Sequence, residues 1–258
     1  MSYESFTTSD GVQIKSFTSG DPDGKRAGVI VIHEIWGLTG FIESYARRLS
    51  EAGFYTVAPH LFSRFGDALN PENIASTMRE FWSLPPGKRR DPEAVKEIVE
   101  RLPERSRKVA EILVMRRREM EELMLKDLAH VYQEFKPRTN GNIGVVGFCM
   151  GGGLAFEIST RLPFKATVVH YGANPKDLDS LAKVKGSILG LYAGNDPAIN
   201  DGLPDLIRGV VKHGVDFEMK IYPGTNHAFA TEGGPAYNEA AAKDAWERSL
   251  NFFKRHLG

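Results

Sequence analysis

The chain has 258 residues, and its 33 Lys and Arg are balanced by 33 Asp and Glu, giving a formal charge of zero. That balance leaves no electrostatic footprint for nucleic acid or an anionic membrane surface, and no apolar run approaches the ~20 residues of a membrane span. The single cysteine excludes an intramolecular disulfide. With no signal-peptide pattern at Met1-Ser2-Tyr3-Glu4, the expected setting is a reducing cytoplasm, where a reactive thiol stays usable.

Val12 to Phe17 alternates apolar and polar residues, as a strand with one wet face does. Asp21-Pro22-Asp23-Gly24 is a turn. Gly28 to Ile32 is a continuous apolar strand that runs straight into His33-Glu34-Ile35-Trp36-Gly37-Leu38. A helix is expected from about Phe41 to Ala52, with Ile42, Tyr45, Ala46 and Leu49 on one face and Gly53 as its stop. Phe54 to Ala58 is the next buried strand, closed by Pro59.

From about Gly66 to Leu125 the pattern turns helical and highly charged, broken by Pro71, Pro85-Pro86, Pro92 and Pro103. A crossover between parallel strands needs one helix, so this length reads as an insertion over the core, a cap on the binding side or else a solvated decoration. Val109 to Phe135 then repeats apolar residues at helical spacing, as one long helix or two joined at Arg116-Arg117-Arg118, a run expected to be a solvated face.

Ile143 to Phe148 is an apolar strand ending in Gly147-Phe148-Cys149-Met150-Gly151, and a helix begins at Leu154. This is the layout of a nucleophile elbow with Cys in the place of Ser; the glycines leave room for a sharp strand-to-helix turn. The helix N-terminus would favour a thiolate. Taken alone, the same turn also suits a buried structural cysteine or a phosphate cradle.

Further strands are expected at Ala166 to Gly172, Gly186 to Ala193 and Phe217 to Tyr222, with a helix near Leu203 to Lys212 and a last one near Pro235 to His256. Strands alternating with helices make a mostly parallel sheet covered on both faces, in one domain spanning 1–258 with the helical insertion at about 66–125.

Cys149, Asp196 and His227 all fall where strands end, in the order nucleophile, acid, base. A thiol ionises only slightly at neutral pH, so a base must take its proton, and an acid must hold that base in one tautomer. Asp196-Pro197 also suits a plain turn, Asp201 and Asp205 compete for the acid's role, and His33, His60, His170 and His213 are equally open to structural positions. No H-E-x-x-H or paired-Cys ligand set is present, so neither metal nor cofactor is expected.

The sequence resembles the dienelactone hydrolase (carboxymethylenebutenolidase) family in H-E-I-W-G-L at 33–38, A-P-H-L-F-S-R at 58–64, G-F-C-M-G-G at 147–152, Y-A-G-N-D-P at 192–197 and Y-P-G-T-N-H-A-F at 222–229. The resemblance implies an α/β-hydrolase fold, a Cys149–Asp196–His227 triad and an oxyanion hole from the backbone N–H groups of Ile35 and Met150. It also implies a Glu34 carboxylate that restrains the resting thiol; on residues alone, Glu34 could equally cap the following helix. Tyr171 and Trp36 become candidate substrate contacts. The family's carboxylate-binding Arg, four residues past the triad His, is replaced by Thr231, which leaves Arg79 or Arg64 as candidate cations. The expected partner is a small ester or lactone. The alternatives are a general short-chain carboxylesterase and a non-catalytic, thiol-based binding or sensing protein, which would need no Asp–His relay.

Overall fold

Among the described residues, eight strands form one sheet in the order β1-β2-β4-β3-β5-β6-β7-β8, and all neighbours from β4 to β8 run parallel. The computed structural model describes residues 1–89 and 91–258. The strands are β1 (Ser2–Thr7), β2 (Gln13–Ser19), β3 (Gly28–Ile32), β4 (Tyr55–Pro59), β5 (Ile143–Phe148), β6 (Ala166–His170), β7 (Ser187–Asn195) and β8 (Phe217–Asn226). β1 was not expected from the sequence: it is an outer antiparallel strand in which only Phe6 is buried, so its apolar alternation is faint. β8 continues through Pro223-Gly224-Thr225-Asn226, expected as loop, because a register irregularity at Ala193/Asn195 lets the pairing with β7 resume.

The central strands are buried on both faces, and alternate residues feed different layers. Val29 and Val31 of β3 pack with Ile42, Tyr45, Ala46 and Leu49 of α1 (Gly40–Glu51) and with Phe252 and Phe253 of α9 (Glu239–Leu257). Ile30 and Ile32 pack on the opposite side against the helices between β4 and β5. Each Val, Leu, Ile or Phe side chain buried in this way stabilises the fold by about 1.5–3 kcal/mol. α9 begins after Asn238, whose side chain accepts from the Ala241 N–H, and not at Pro235 as the sequence suggests.

The segment between β4 and β5 holds a 3₁₀ stretch (Leu61–Ala68) and α2 (Pro71–Ser83), α3 (Pro92–Arg101), α4 (Glu104–Ala110) and α5 (Arg117–Phe135). Asn70 and Asp91 cap α2 and α3, each followed by Pro in the first turn. A wider π-type turn at Glu111–Met115 separates α4 from α5, so the long apolar pattern is two helices joined ahead of the arginine run. Ile74, Met78, Phe81, Ile98, Leu102 and Val109 enter the same core layer as β3 and β4, so this segment is packed on the sheet. It is also tied down by charge. Arg64 donates through Nε (2.9 Å) and Nη2 (2.5 Å) to Asp127 of α5, which is 1% exposed, and through Nη1 to Asp10. Among the described residues no helix is long and apolar enough to cross a membrane.

Candidate active site

The strand register assembles the site. Phe148 of β5 pairs with His170 of β6, so Cys149 and Tyr171 are each the next residue along. Asn195 of β7 pairs with Asn226 of β8, so Asp196 and His227 are each the next residue there. Ile32 of β3 pairs with Gly147 of β5, and Ile35 and Met150 each lie three residues beyond that pair. All six therefore emerge at the carboxyl ends of the strands, where open α/β sheets bind ligands.

Cys149 occupies the elbow between β5 and α6 (Met150–Ser159) with φ 54° and ψ −117°, a left-handed conformation costly for any side chain. Its N–H donates to the His170 carbonyl at 3.0 Å, and its own carbonyl accepts from Gly153 at 3.1 Å. The flanking glycines are required by contact. A Cβ on Gly147 would lie 1.9 Å from the Gly151 carbonyl oxygen, and one on Gly151 would lie 2.4 Å from that of His33. α6 thus presses directly on the end of β3, bringing the Met150 amide beside the loop that carries Ile35. Among the described residues neither the Ile35 nor the Met150 N–H has a protein acceptor.

His227 Nδ1 and Asp196 Oδ2 are 2.5 Å apart. Asp196 is buried, while the imidazole is 36% exposed. Burial opposes the imidazolium, but the hydrogen bond to Asp196 and the neighbouring Cys149 sulfur outweigh it and raise His227 to about 10. Asp201 and Asp205 make no bond to this ring; Asp205 pairs with Arg208.

Glu34 is 2% exposed and does not cap a helix: α1 begins after Thr39. Its carboxylate accepts from the Thr231 hydroxyl at 2.7 Å, and the Tyr171 hydroxyl donates to the same Thr231 oxygen at 3.2 Å. Burial raises the Glu34 carboxyl above its ordinary value, partly offset by Thr231, His227 and Tyr171. Tyr171 has φ 39°, is fully buried, and stacks obliquely on His227 with ring centres 5.1 Å apart. The Thr231–Glu34 contact has no local signal in the sequence, since the partners are 197 residues apart.

The remaining candidates are more dispersed. Trp36 meets Trp82 of α2 edge-on at 5.8 Å. Arg79 lies on the exposed face of α2, one turn before Trp82. Arg64 is occupied by Asp10 and Asp127. Among the described residues no group of three or more His, Cys, Asp or Glu is arranged to hold a metal. A surface hollow lined by Glu104, Arg105, Arg107, Lys108 and Glu111 belongs to the outer face of α4 and includes none of these groups.

Comparison with known proteins gives a consistent result. The model of the dienelactone hydrolase family matches residues 14–257. A Saccharolobus solfataricus protein, named provisionally as a carboxymethylenebutenolidase, is 47% identical over 255 residues, covering 99% of each chain. An Escherichia coli K12 protein with the same provisional name is 28% identical over 250 residues, covering 92% of this chain and 79% of its own. Among solved structures, a Klebsiella pneumoniae protein described provisionally as a dienelactone hydrolase superposes with a TM-score of 0.73 at 25% identity, covering 98% of both chains.

Proposed function

The chain belongs to the dienelactone hydrolase family and has an α/β-hydrolase fold, which supports a hydrolase of lactones or esters acting on a small molecule; from that premise we propose that it works through an acyl-enzyme on Cys149. The observation that carries this reading is the 2.5 Å bond between His227 and Asp196, in a ring whose cation Cys149 also favours.

His227 takes the proton from the Cys149 sulfur, and the thiolate attacks the substrate carbonyl carbon. The Ile35 and Met150 N–H groups receive the developing oxyanion; losing one such donor typically costs ~10²–10³ in rate. Collapse expels the alcohol or ring oxygen, which takes the proton from His227. Water then gives a proton to His227 and attacks the thioester, and the acid leaves as Cys149 is restored. Asp196 holds the imidazole with Nδ1 protonated throughout. Glu34, through its charge near His227, restrains the pair at rest, and Trp36 and Tyr171 border the substrate. The single cysteine and balanced charge fit a cytoplasmic protein without nucleic-acid partners.

Turnover of p-nitrophenyl acetate tests the reading. Alkylation of the one thiol by iodoacetamide should abolish it in proportion to modification, and a single stoichiometric burst without turnover would instead indicate a thiol sensor.

One observation favours a general short-chain esterase over a dienelactone-specific enzyme: Thr231 spends its hydroxyl proton on Glu34, and Arg64 is occupied. A substrate carboxylate then lacks a charged hydrogen bond that is typically worth ~1.5–3 kcal/mol. The kcat/KM values of an acid-bearing ester and its methyl ester should be comparable; a hundredfold preference for the acid would make Arg79 the clamp and restore the dienelactone reading.

A further inference from the structure

His33 is fully buried at the end of β3, between two backbone groups. The Leu61 N–H donates to its Nε2 at 3.0 Å. Nε2 is therefore the unprotonated nitrogen, and Nδ1–H donates to the Glu34 carbonyl at 2.6 Å. Burial, with His60 alongside at a ring distance of 5.7 Å, disfavours the cation and holds this imidazole neutral in a single tautomer.

The effect of that tautomer falls one atom further along the chain. In a trans peptide the carbonyl and the following N–H point to opposite sides of one plane. No cis peptide bonds occur among the described residues. A ring that draws the Glu34 carbonyl inward therefore turns the Ile35 N–H outward, and Gly37 N–H bonding to the same carbonyl at 3.2 Å closes the turn beneath it. A hydrogen bond at an amide oxygen also polarises its N–H, making it a stronger donor.

We propose that His33 is a positioning residue that aims and polarises the Ile35 N–H toward the oxyanion, acting through the Glu34–Ile35 peptide plane. The proposal rests on the reading of Ile35 as an oxyanion donor. Its rival is a purely structural tie, in which the imidazole merely fastens β3 to the turn after β4 through Leu61.

The two bonds of the ring can be separated. An Asn amide nitrogen reaches the place of Nδ1, so His33→Asn keeps a donor for the Glu34 carbonyl and loses the acceptor for Leu61. A Gln amide oxygen reaches the place of Nε2, so His33→Gln keeps the Leu61 bond and loses the Glu34 donor. With p-nitrophenyl acetate, His33→Gln should lose roughly 10- to 100-fold in kcat with KM nearly unchanged, less than the loss of a whole oxyanion donor. His33→Asn should recover most of that loss. Alkylation of Cys149 by iodoacetamide needs the thiolate but forms no oxyanion, so its rate in His33→Gln should match the wild type.

Equal kcat in folded Asn and Gln variants, or alkylation that falls in step with turnover, overturns the proposal. If His33→Asn does not fold, His33→Gln decides alone: lost kcat with intact alkylation supports the proposal, and unimpaired kcat overturns it. Cys149→Ala is run alongside. Residual turnover there would refute the acyl-enzyme reading itself, whereas an inert Cys149→Ala with equal His33 variants refutes only the role of His33.

Discussion

The hydroxyl of Thr231 donates to the carboxylate of Glu34 at 2.7 Å, joining the loop after β8 to the loop after β3. The bond satisfies a carboxylate that is 2% exposed. Thr231→Val keeps the shape and removes the donor, so unfolding free energy should fall by about 1–3 kcal/mol, the usual penalty for a buried group left short of a partner. Thr231→Ser should recover most of it. Denaturant melts of the three proteins check this, and a Val variant as stable as the wild type would show that Tyr171 alone satisfies Glu34.

The pH dependence at Glu34 has an unusual sign for a carboxylate. Burial raises its value in the folded protein above the ordinary 4.5, so the folded state holds the proton more readily than the unfolded state. Its contribution to stability is therefore fully present below the unfolded value and is lost as pH rises through the folded one. Glu34→Gln escapes that loss. Its melting temperature relative to wild type should rise between about pH 4 and neutrality; a difference that stays flat over that range would refute the burial argument.

His227 titrates in the opposite part of the scale. Raised from 6.5 to about 10, it stabilises the fold fully below pH 6.5 and loses that contribution as pH climbs toward 10. Asp196→Asn removes the largest support for the cation. The stability gap between this variant and wild type should be widest below pH 6.5 and shrink toward pH 10. Turnover should drop by roughly 10²- to 10⁴-fold through loss of the correct tautomer. A gap that grows with pH would mean the imidazole is neutral at rest.

Cys149 tests the strain of the elbow apart from its chemistry. At φ 54° and ψ −117° a glycine is unstrained, whereas a side chain costs about 1–3 kcal/mol. Cys149→Gly should abolish hydrolysis and yet melt at or above the wild-type temperature, while Cys149→Ala, which keeps the strain, should gain less. A Gly variant less stable than the Ala variant would show that the backbone is relaxed there.

Much of this site is legible in the sequence because strand ends are. Ile143 to Phe148 and Gly28 to Ile32 are unbroken apolar runs, and the residues just past each run emerge at the ligand-binding edge of the sheet. Cys149 is found by that rule; Asp196 and His227 lie three and five residues past the strand ends expected at Ala193 and Tyr222, and the chain order nucleophile, acid, base is what singles them out. Contacts that join different loops are not found so. Nothing near Thr231 announces Glu34, and nothing near Arg64 announces that Asp127 has claimed it, because both pairings arise from tertiary packing. β1 escapes notice for the same reason: Phe6 is its one buried side chain, and the strand is held by backbone pairing with β2 and by distant side chains such as Arg138, which pairs with Glu4.

The meeting of Trp36 with Trp82, ring centres 5.8 Å apart and planes at 79°, gives the molecule an optical gauge. Two indoles so close share their excited states and give a paired circular-dichroism signal that neither gives alone. One is carried by the loop after Glu34, the other by α2, so any separation of helix from floor extinguishes the pair. Trp246, the third indole, lies away from this pair in the α1–α9 layer, 3.9 Å beneath the Arg48 guanidinium. Any change in the spacing of α2 and the loop after β3 can thus be followed in unlabelled protein, by light the chain already absorbs.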